Sequence, residues 1–160
     1  MPDTYSVGCI ALTAESFAPF GQLLSAEPDE GAIALRDDEQ WILNVLSYDH
    51  RPLVCDHLNA HRRATQMLVP LSARPALLIV APPGPTFTGR EDLAHVRAFV
   101  LDGTAAVNLG HGTWHWGPYP IGSHVDLLNL QGRGFATDNE VVHLERDLDV
   151  VVIAQLSELG

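Results

Sequence analysis

Two pairs of histidines in this chain have members four positions apart. His57 and His61 form the first pair, and His111 and His115 form the second, within the stretch HGTWHWGPYP. On a helix this spacing would place both imidazoles on one face, which suits a shared metal ion. Neither stretch has a helical pattern, and on a strand the two members would lie roughly 13 Å apart. Each pair is therefore expected to contribute at most one ligand, unless a turn intervenes.

A more complete site combines residues from both segments. The first segment offers Asn59, His61 and Gln66, and the second offers His115, three residues after Gly112. If the segments are neighbouring strands of a small barrel, two imidazoles and an amide can point into one interior. This mixed nitrogen and oxygen set suits a borderline divalent metal, so His61, Gln66 and His115 are the candidate ligands. Imidazole also titrates near neutral pH, which makes His115 and His61 the candidate catalytic residues.

The same reading gives a set of candidate substrate contacts. Of the adjacent Arg62 and Arg63, one would face inward on a strand, and Arg63 is the candidate clamp for a carboxylate. Asp126 alternates with two leucines in HVDLLNLQ, so it is expected to point inward with them as a buried acid or anchor. His111 is expected at the mouth of the pocket. Each has a structural alternative, because any of these side chains can simply be on the surface. Asn59 and Gln66 complete the set.

The rest of the stretch HGTWHWGPYP suggests packing. Trp114 and Trp116 share the face opposite His115 and are expected to pack in the core or at a subunit contact. Gly112 is expected to permit the turn that directs His115. The residues from Gly117 to Pro120 are expected to end the regular element.

The elements that must position these residues are mostly strands. Short segments rich in Val, Ile and Leu are bounded by Pro, Gly or Asp, with no long helical period between them. One short helix is predicted at residues 14–17, after Thr13. The acidic residues 25–40 are predicted to form a loop. This pattern favours an all-β fold, a small antiparallel barrel with a short N-terminal helix, as one domain over residues 1–160. The predicted strands are 41–48, 65–71, 76–83, 96–102, 105–110, 124–131 and 149–156.

Composition narrows the classes of function. The formal charge is −11, with nine arginines and no lysine. Such an acidic chain argues against nucleic acid or an anionic membrane as partner, and the absence of lysine excludes Schiff-base chemistry. Cys9 and Cys55 are expected to be reduced and buried. No secretory signal or membrane-spanning run is visible, so the expected location is the cytoplasm.

Three segments resemble the ureidoglycolate lyase family. They are LTAESFAPFGQLL near the N-terminus, HRRATQMLVPL, and VRAFVLDGTAAVNLGHGTWHWGPYPI. The resemblance implies a cupin-like β-barrel, a homodimer, and cleavage of ureidoglycolate to glyoxylate and urea in allantoin breakdown. It also implies a divalent metal, such as nickel, zinc or manganese, and no organic cofactor.

The family's motifs carry over to this sequence with departures. In general cupin terms, the first motif is H-x-H followed by a glutamate, and the second is G-x-x-H. Asn59 and His61 occupy the H-x-H places, Gln66 the glutamate place, and Gly112 to His115 the second motif. Asn59 stands where the family commonly has an acidic residue, and Ala60 stands where it has Arg. Gln131-Gly132 replaces an expected D-R pair. His111 and Trp116 stand where Arg and His are frequent. A carboxylate and two cationic anchors are thus missing from the expected pocket.

Three functions remain open on the sequence. The first is a lyase acting on ureidoglycolate or a close hydroxy-acid analogue. The second is a metal-dependent isomerase or hydrolase of another small carboxylate, which the substitutions at 59, 60 and 131 suggest. The third is a cupin that binds a small ligand without catalysis.

Overall fold

The chain folds into strands joined by short turns. A computed structural model describes residues 1–26, 30–34 and 40–156. No helix among them is long and apolar enough to cross a membrane. The α-helices are α1 (Ala14–Phe17) and α2 (Leu144–Leu148), and two 3-10 helices span Arg90–His95 and Arg133–Ala136. The strands are β1 (Asp3–Ile10), β2 (Gly21–Leu24), β3 (Trp41–Asp49), β4 (Val54–Cys55), β5 (His57–Ala60), β6 (Gln66–Pro70), β7 (Ala76–Ala81), β8 (Arg97–Leu101), β9 (Ala106–Leu109), β10 (Trp114–Pro120), β11 (His124–Gly132), β12 (Glu140–His143) and β13 (Val150–Gln155).

The strands form two sheets, which confirms the all-β prediction. The larger sheet has the order β12-β5-β10-β7-β8-β1-β13-β4, and the smaller has the order β2-β9-β6-β11-β3. Pairing is antiparallel except at β1, which lies parallel to both β8 and β13. In the larger sheet β10 pairs with β5, and His115 stands opposite Asn59. The two segments that carry the candidate site are therefore neighbours, as predicted.

All seven predicted strands are present, with ends shifted by two residues or fewer, as β3, β6, β7, β8, β9, β11 and β13. The helix at 14–17 is also confirmed, with Thr13 as its N-cap and Ser16 completing a capping box. The expectation that Gly117 to Pro120 end the regular element is wrong, because β10 continues to Pro120. A register shift between Trp116 and Tyr119 and a positive φ of 109° at Gly117 accommodate these residues in the strand. Of the predicted loop, 27–29 and 35–39 lie outside the described residues, and 30–34 form neither helix nor strand.

Strand β7 lies at the centre of the fold and is buried on both faces. Leu77 and Ile79 face a core on the outer side of the larger sheet, which also contains Trp114. Leu78 and Val80 face the space between the two sheets. Part of that space is apolar and contains the clustered rings of Phe17, Phe20 and Phe99, with centroids 5.2 to 5.8 Å apart. Cys9 and Cys55 are both buried, as predicted, and they are not joined in a disulfide.

Candidate active site

The remaining space between the sheets is a polar cavity of about 220 Å³. Along β11 the inward side chains change from apolar Val125 and Leu127 to polar Asn129 and Gln131. The volume is below the roughly 300 to 1,000 Å³ of pockets for drug-sized molecules, so the cavity suits a small metabolite. The lining residues are Leu46, Tyr48, Asn59, His61, Gln66, Leu68, His115, Trp116, Gly117, Asn129, Gln131, Phe135 and Asn139.

His115 projects from β10 into this cavity and is 7% exposed. Its Nδ1 lies 3.0 Å from the carbonyl oxygen of Thr113. A carbonyl oxygen only accepts hydrogen bonds, so Nδ1 carries the proton and Nε2 keeps its lone pair. Burial, with a smaller contribution from nearby His61, lowers the pKa of His115 to about 4. The imidazole is therefore neutral at physiological pH.

His61 has the same arrangement at the end of β5. Its Nδ1 lies 2.6 Å from the carbonyl oxygen of Asp138, so its Nε2 also keeps a lone pair. The centroids of the His61 and His115 rings are 5.4 Å apart. Gly112 connects the two segments, because its N–H donates to the His61 carbonyl at 2.7 Å and its φ of 75° favours glycine. Histidines that bind metals commonly donate the other ring N–H in this way.

Gln66 supplies a third acceptor. Its Nε2 donates to Oδ1 of Asn129 at 2.9 Å, and Nδ2 of Asn129 donates to Oδ1 of Asn44 at 2.9 Å. The Oε1 of Gln66 is buried and has no hydrogen-bond partner. Buried acceptors are rarely left unpaired, because the lost hydration costs about 1–3 kcal/mol. The unpaired oxygen therefore indicates a site for a donor or a cation.

Four of the predicted site residues thus meet in one cavity: Asn59, His61, Gln66 and His115. Among the described residues, the lining of the cavity includes no Arg, Asp or Glu. Apart from the Trp116 indole, the polar side-chain groups of the lining are amides, imidazoles and the Tyr48 hydroxyl. Sequence reasoning missed the contributions of Tyr48, Asn129, Gln131 and Asn139. The polar residues at 129 and 131 alternate with leucines, and this signal was present in the sequence.

The predicted arginine clamp is absent from this lining. The backbone N–H groups of Arg62 and Arg63 donate to the two carboxylate oxygens of Asp138, at 2.9 and 2.8 Å. The Arg62 side chain pairs with Glu140, with Nε to Oε2 at 2.6 Å. The pair of arginines lies in a turn after β5 rather than on a strand. Asp138 therefore holds the turn through its carboxylate and holds His61 through its carbonyl.

His111 also lies outside the cavity lining. It is exposed on the turn before β10, with its Nε2 3.4 Å from the carbonyl oxygen of Ala34. Trp114 packs in the outer core as predicted, and its Nε1 donates to Pro85 at 2.9 Å. Trp116 also packs against this core as predicted, and in addition it lines the cavity and contacts His57, with ring centroids 3.8 Å apart and ring planes tilted by 51°.

Arg51, which the sequence did not indicate as a site residue, contacts two aromatic residues of the cavity lining, Tyr48 and Trp116. Its guanidinium carbon lies 5.1 Å from the Tyr48 ring centroid and 5.6 Å from that of Trp116. Its Nη2 donates to the Pro118 carbonyl at 3.2 Å. Burial raises the pKa of Tyr48, and the charge of Arg51 opposes this only in part. Tyr48 therefore keeps its proton at neutral pH.

The prediction that Asp126 points inward is wrong. The buried positions of β11 are Val125, Leu127, Asn129 and Gln131, so Asp126 faces outward with Leu128 and Leu130. Its carboxylate accepts from Ser47 at 2.7 Å and meets Nε2 of His124 at 3.0 Å. Nδ1 of His124 lies 2.8 Å from Asp49. Asp126 therefore belongs to a surface cluster of Ser47, Asp49, His124 and Asp126.

This surface cluster gives a pH-dependent stability. Hydrogen bonds to Asp49 and then to Asp126 raise the pKa of His124, and hydrogen bonds from Ser47 and then from His124 lower the pKa of Asp126. The His124 contribution is complete below its unfolded pKa of about 6.5 and is lost as pH rises through the raised folded value. We expect His124→Gln to reduce the free energy of unfolding in urea more at pH 6 than at pH 9.5. His50→Gln, at an exposed histidine outside the cluster, is the control, and an equal loss at both pH values would contradict the assignment.

Comparisons with known proteins agree with the family resemblance and with the fold. A model of the ureidoglycolate lyase family matches residues 29–153. Ureidoglycolate lyase of Stutzerimonas stutzeri is 30% identical over 162 residues, which cover 90% of this chain and 93% of that protein. Ureidoglycolate lyase of Pseudomonas syringae pv. tomato is 24% identical over 159 residues, with coverage of 88% and 91%.

Among solved structures, RmlC from Streptococcus suis in complex with dTDP-D-xylose superimposes with a TM-score of 0.50 at 14% identity. The match covers 76% of this chain and 59% of that chain, and at this identity it shows the fold alone. It supports the predicted cupin-like architecture. The chain is a member of the ureidoglycolate lyase family.

Proposed function

We propose that this protein cleaves ureidoglycolate to glyoxylate and urea. The family match shows a lyase of this type, and the observation that carries the proposal is the convergence of His61, His115 and Gln66 in one small polar cavity. In this reaction the carbinol O–H loses its proton and becomes the aldehyde C=O. The C–N bond breaks, and the departing nitrogen gains a proton to complete urea. A catalyst must hold an anionic substrate and assist both proton movements.

A divalent metal is part of the proposal. His61 Nε2, His115 Nε2 and Gln66 Oε1 would hold it, since none of the three accepts a hydrogen bond from a residue that the structure describes and each side chain is fixed by a hydrogen bond from its other polar atom. Among the described residues, no three His, Cys, Asp or Glu side chains are arranged as a metal site, and in this proposal the amide of Gln66 is the third protein ligand. A bound cation would lower the pKa of the carbinol hydroxyl and offset the substrate carboxylate.

The other lining residues bind and orient the substrate. The neutral amides of Asn59, Gln131 and Asn139 offer N–H donors to the carboxylate and to the ureido carbonyl, and offer oxygens to the ureido N–H groups. Tyr48, which keeps its proton because of burial, donates from Oη to the departing nitrogen. Trp116 and Phe135 complete the wall and exclude water.

The test is product analysis with the purified protein and racemic ureidoglycolate. With nickel, zinc or manganese supplied, we expect glyoxylate and urea in equal amounts, at a rate well above the decay without protein. Ammonia in place of urea would favour a hydrolase. No glyoxylate above background with any of the three metals would contradict the lyase assignment.

We also propose that the protein is a homodimer, as the family resemblance implies. The outward face of β3 supports this, because Leu43 and Val45 are 63% and 51% exposed and lie opposite outward Leu130 and Leu128 of β11. Exposed apolar patches of this kind favour association. Sedimentation equilibrium should show a dimer for the native protein and a monomer for L43E/V45E. Ile10→Glu, at another exposed apolar residue, is the control, and an unchanged dimer in L43E/V45E would refute this face.

A further inference from the structure

Three side-chain amides next to the cavity, those of Gln66, Asn129 and Asn44, are hydrogen-bonded in one direction. Asn129 is fully buried, donates through Nδ2 to Asn44, and accepts through Oδ1 from Gln66. Each carboxamide has one donor end and one acceptor end, so fixing one amide fixes the next. The chain of bonds therefore leaves the Gln66 nitrogen occupied and its oxygen bare.

We propose that Asn44 and Asn129 are positioning residues that hold Gln66 with its oxygen toward the two histidines. Without this relay the amide of Gln66 could rotate and present its NH₂ group, which cannot bind a metal and would repel a cation. The inference rests on the proposed metal function, since it explains why a neutral amide serves as the third ligand. Groups that orient a ligand typically change metal affinity about 10- to 100-fold when they are removed.

The position of Asn44 explains how the relay is set from its outer end. Asn44 lies on β3, an edge strand of the smaller sheet, and is exposed, whereas Asn129 lies on the adjacent β11 directly opposite it. Its Oδ1 accepts from Asn129, so a residue at position 44 that can only accept preserves the direction of the relay. A residue that cannot accept removes the constraint.

The experiment uses Asn129→Leu, which removes the relay with an apolar side chain of similar size, and Asn44→Asp, which keeps an acceptor. Nickel binding is measured by calorimetry, and the side-chain NH₂ signals of Gln66 are measured by NMR without metal. We expect N129L to bind nickel at least about 10-fold more weakly and N44D to bind at least as tightly as the native protein. In NMR, the Gln66 NH₂ signals should be shifted and protected in the native protein and in N44D, and close to free-amide values in N129L.

The outcomes separate the relay from the metal site. Native nickel affinity in N129L, with Gln66 signals unchanged, would overturn the relay while leaving the metal proposal standing. Absence of nickel binding in the native protein would overturn the metal function. In that case the relay is still supported if the Gln66 NH₂ signals are protected in the native protein and lose this protection in N129L. If N129L keeps the protection, the relay is overturned as well.

Discussion

Replacing His115 by alanine is expected to lower kcat for ureidoglycolate cleavage by a factor on the order of 10² or more. His115 is the most buried imidazole of the cavity, and its Nε2 lone pair is directed there by the Thr113 carbonyl. Alanine removes that lone pair. The measurement is steady-state release of glyoxylate, with the fold checked by circular dichroism.

The matched control is His111→Ala, in the same stretch but on an exposed turn outside the cavity lining. It should retain native turnover. Unchanged turnover in H115A would refute the assigned role. If turnover is lost, the nickel affinity of H115A defines the role, because a loss of affinity together with turnover identifies His115 as a metal ligand. Retained affinity with lost turnover would instead make its Nε2 the group that accepts the substrate proton.

The double variant H61A/H115A provides a further check. If both imidazoles hold one metal, removing either should cost nearly as much as removing both, because groups that act as a unit are not additive. If the fold-loss of turnover in the double variant equals the product of the two single losses, His61 and His115 act separately.

Gln66→Glu is expected to bind nickel or zinc at least about 10-fold more tightly than the native protein, equivalent to about 1.4 kcal/mol or more. The native donor set is neutral, and a carboxylate oxygen adds negative charge where the amide oxygen now lies unpaired. The other carboxylate oxygen then lies beside Asn129 Oδ1, so Asn129 has to give up its bond to Asn44 and turn its amide to donate Nδ2 to the carboxylate. The substrate is itself an anion, so KM should rise even as metal affinity improves.

Gln66→Leu is the matched control and should weaken metal binding, because it removes the oxygen and keeps the bulk. Calorimetric titration of the metal-free proteins measures the metal affinity of the native protein, Q66E and Q66L. If Q66E and the native protein bind the metal equally, Oε1 of Gln66 does not face the cation, and the proposed ligand set is wrong.

The sequence by itself placed much of the scaffold. Runs of Val, Ile and Leu between turn residues predicted the strands that form the centre of both sheets, because branched side chains at period two need a buried face. It missed β1, whose alternation is weak in DTYSVGCI and whose partners β8 and β13 are distant in sequence. Pairing of that kind depends on the whole fold.

The candidate site was predicted only in part, because its residues come from segments that the whole fold brings together. Asn59, His61 and His115 meet because β5 and β10 are neighbours, which the two motifs suggested, and Gln66 reaches the same cavity from β6 of the smaller sheet. Arg63 does not line the cavity, because a turn that Asp138 holds through its carboxylate replaces the strand that was assumed at Arg62 and Arg63. His111 does not line it either, because it lies on the exposed turn before β10. Side-chain direction in a turn follows from its hydrogen bonds, and sequence spacing does not reveal them.

What only the tertiary structure decided is which side of β11 faces the interior. Period two divides HVDLLNLQ into two faces, and the leucines suggested that Asp126 shares the inward one. The structure places Asn129 and Gln131 inside and leaves Leu128 and Leu130 outside, beside exposed Leu43 and Val45. A cavity that binds a polar ligand needs polar groups inside, so the usual relation between apolar residues and burial is reversed locally. The sequence thus determined the strands, the family and the paired histidines, whereas register and the amide relay required the packed sheets.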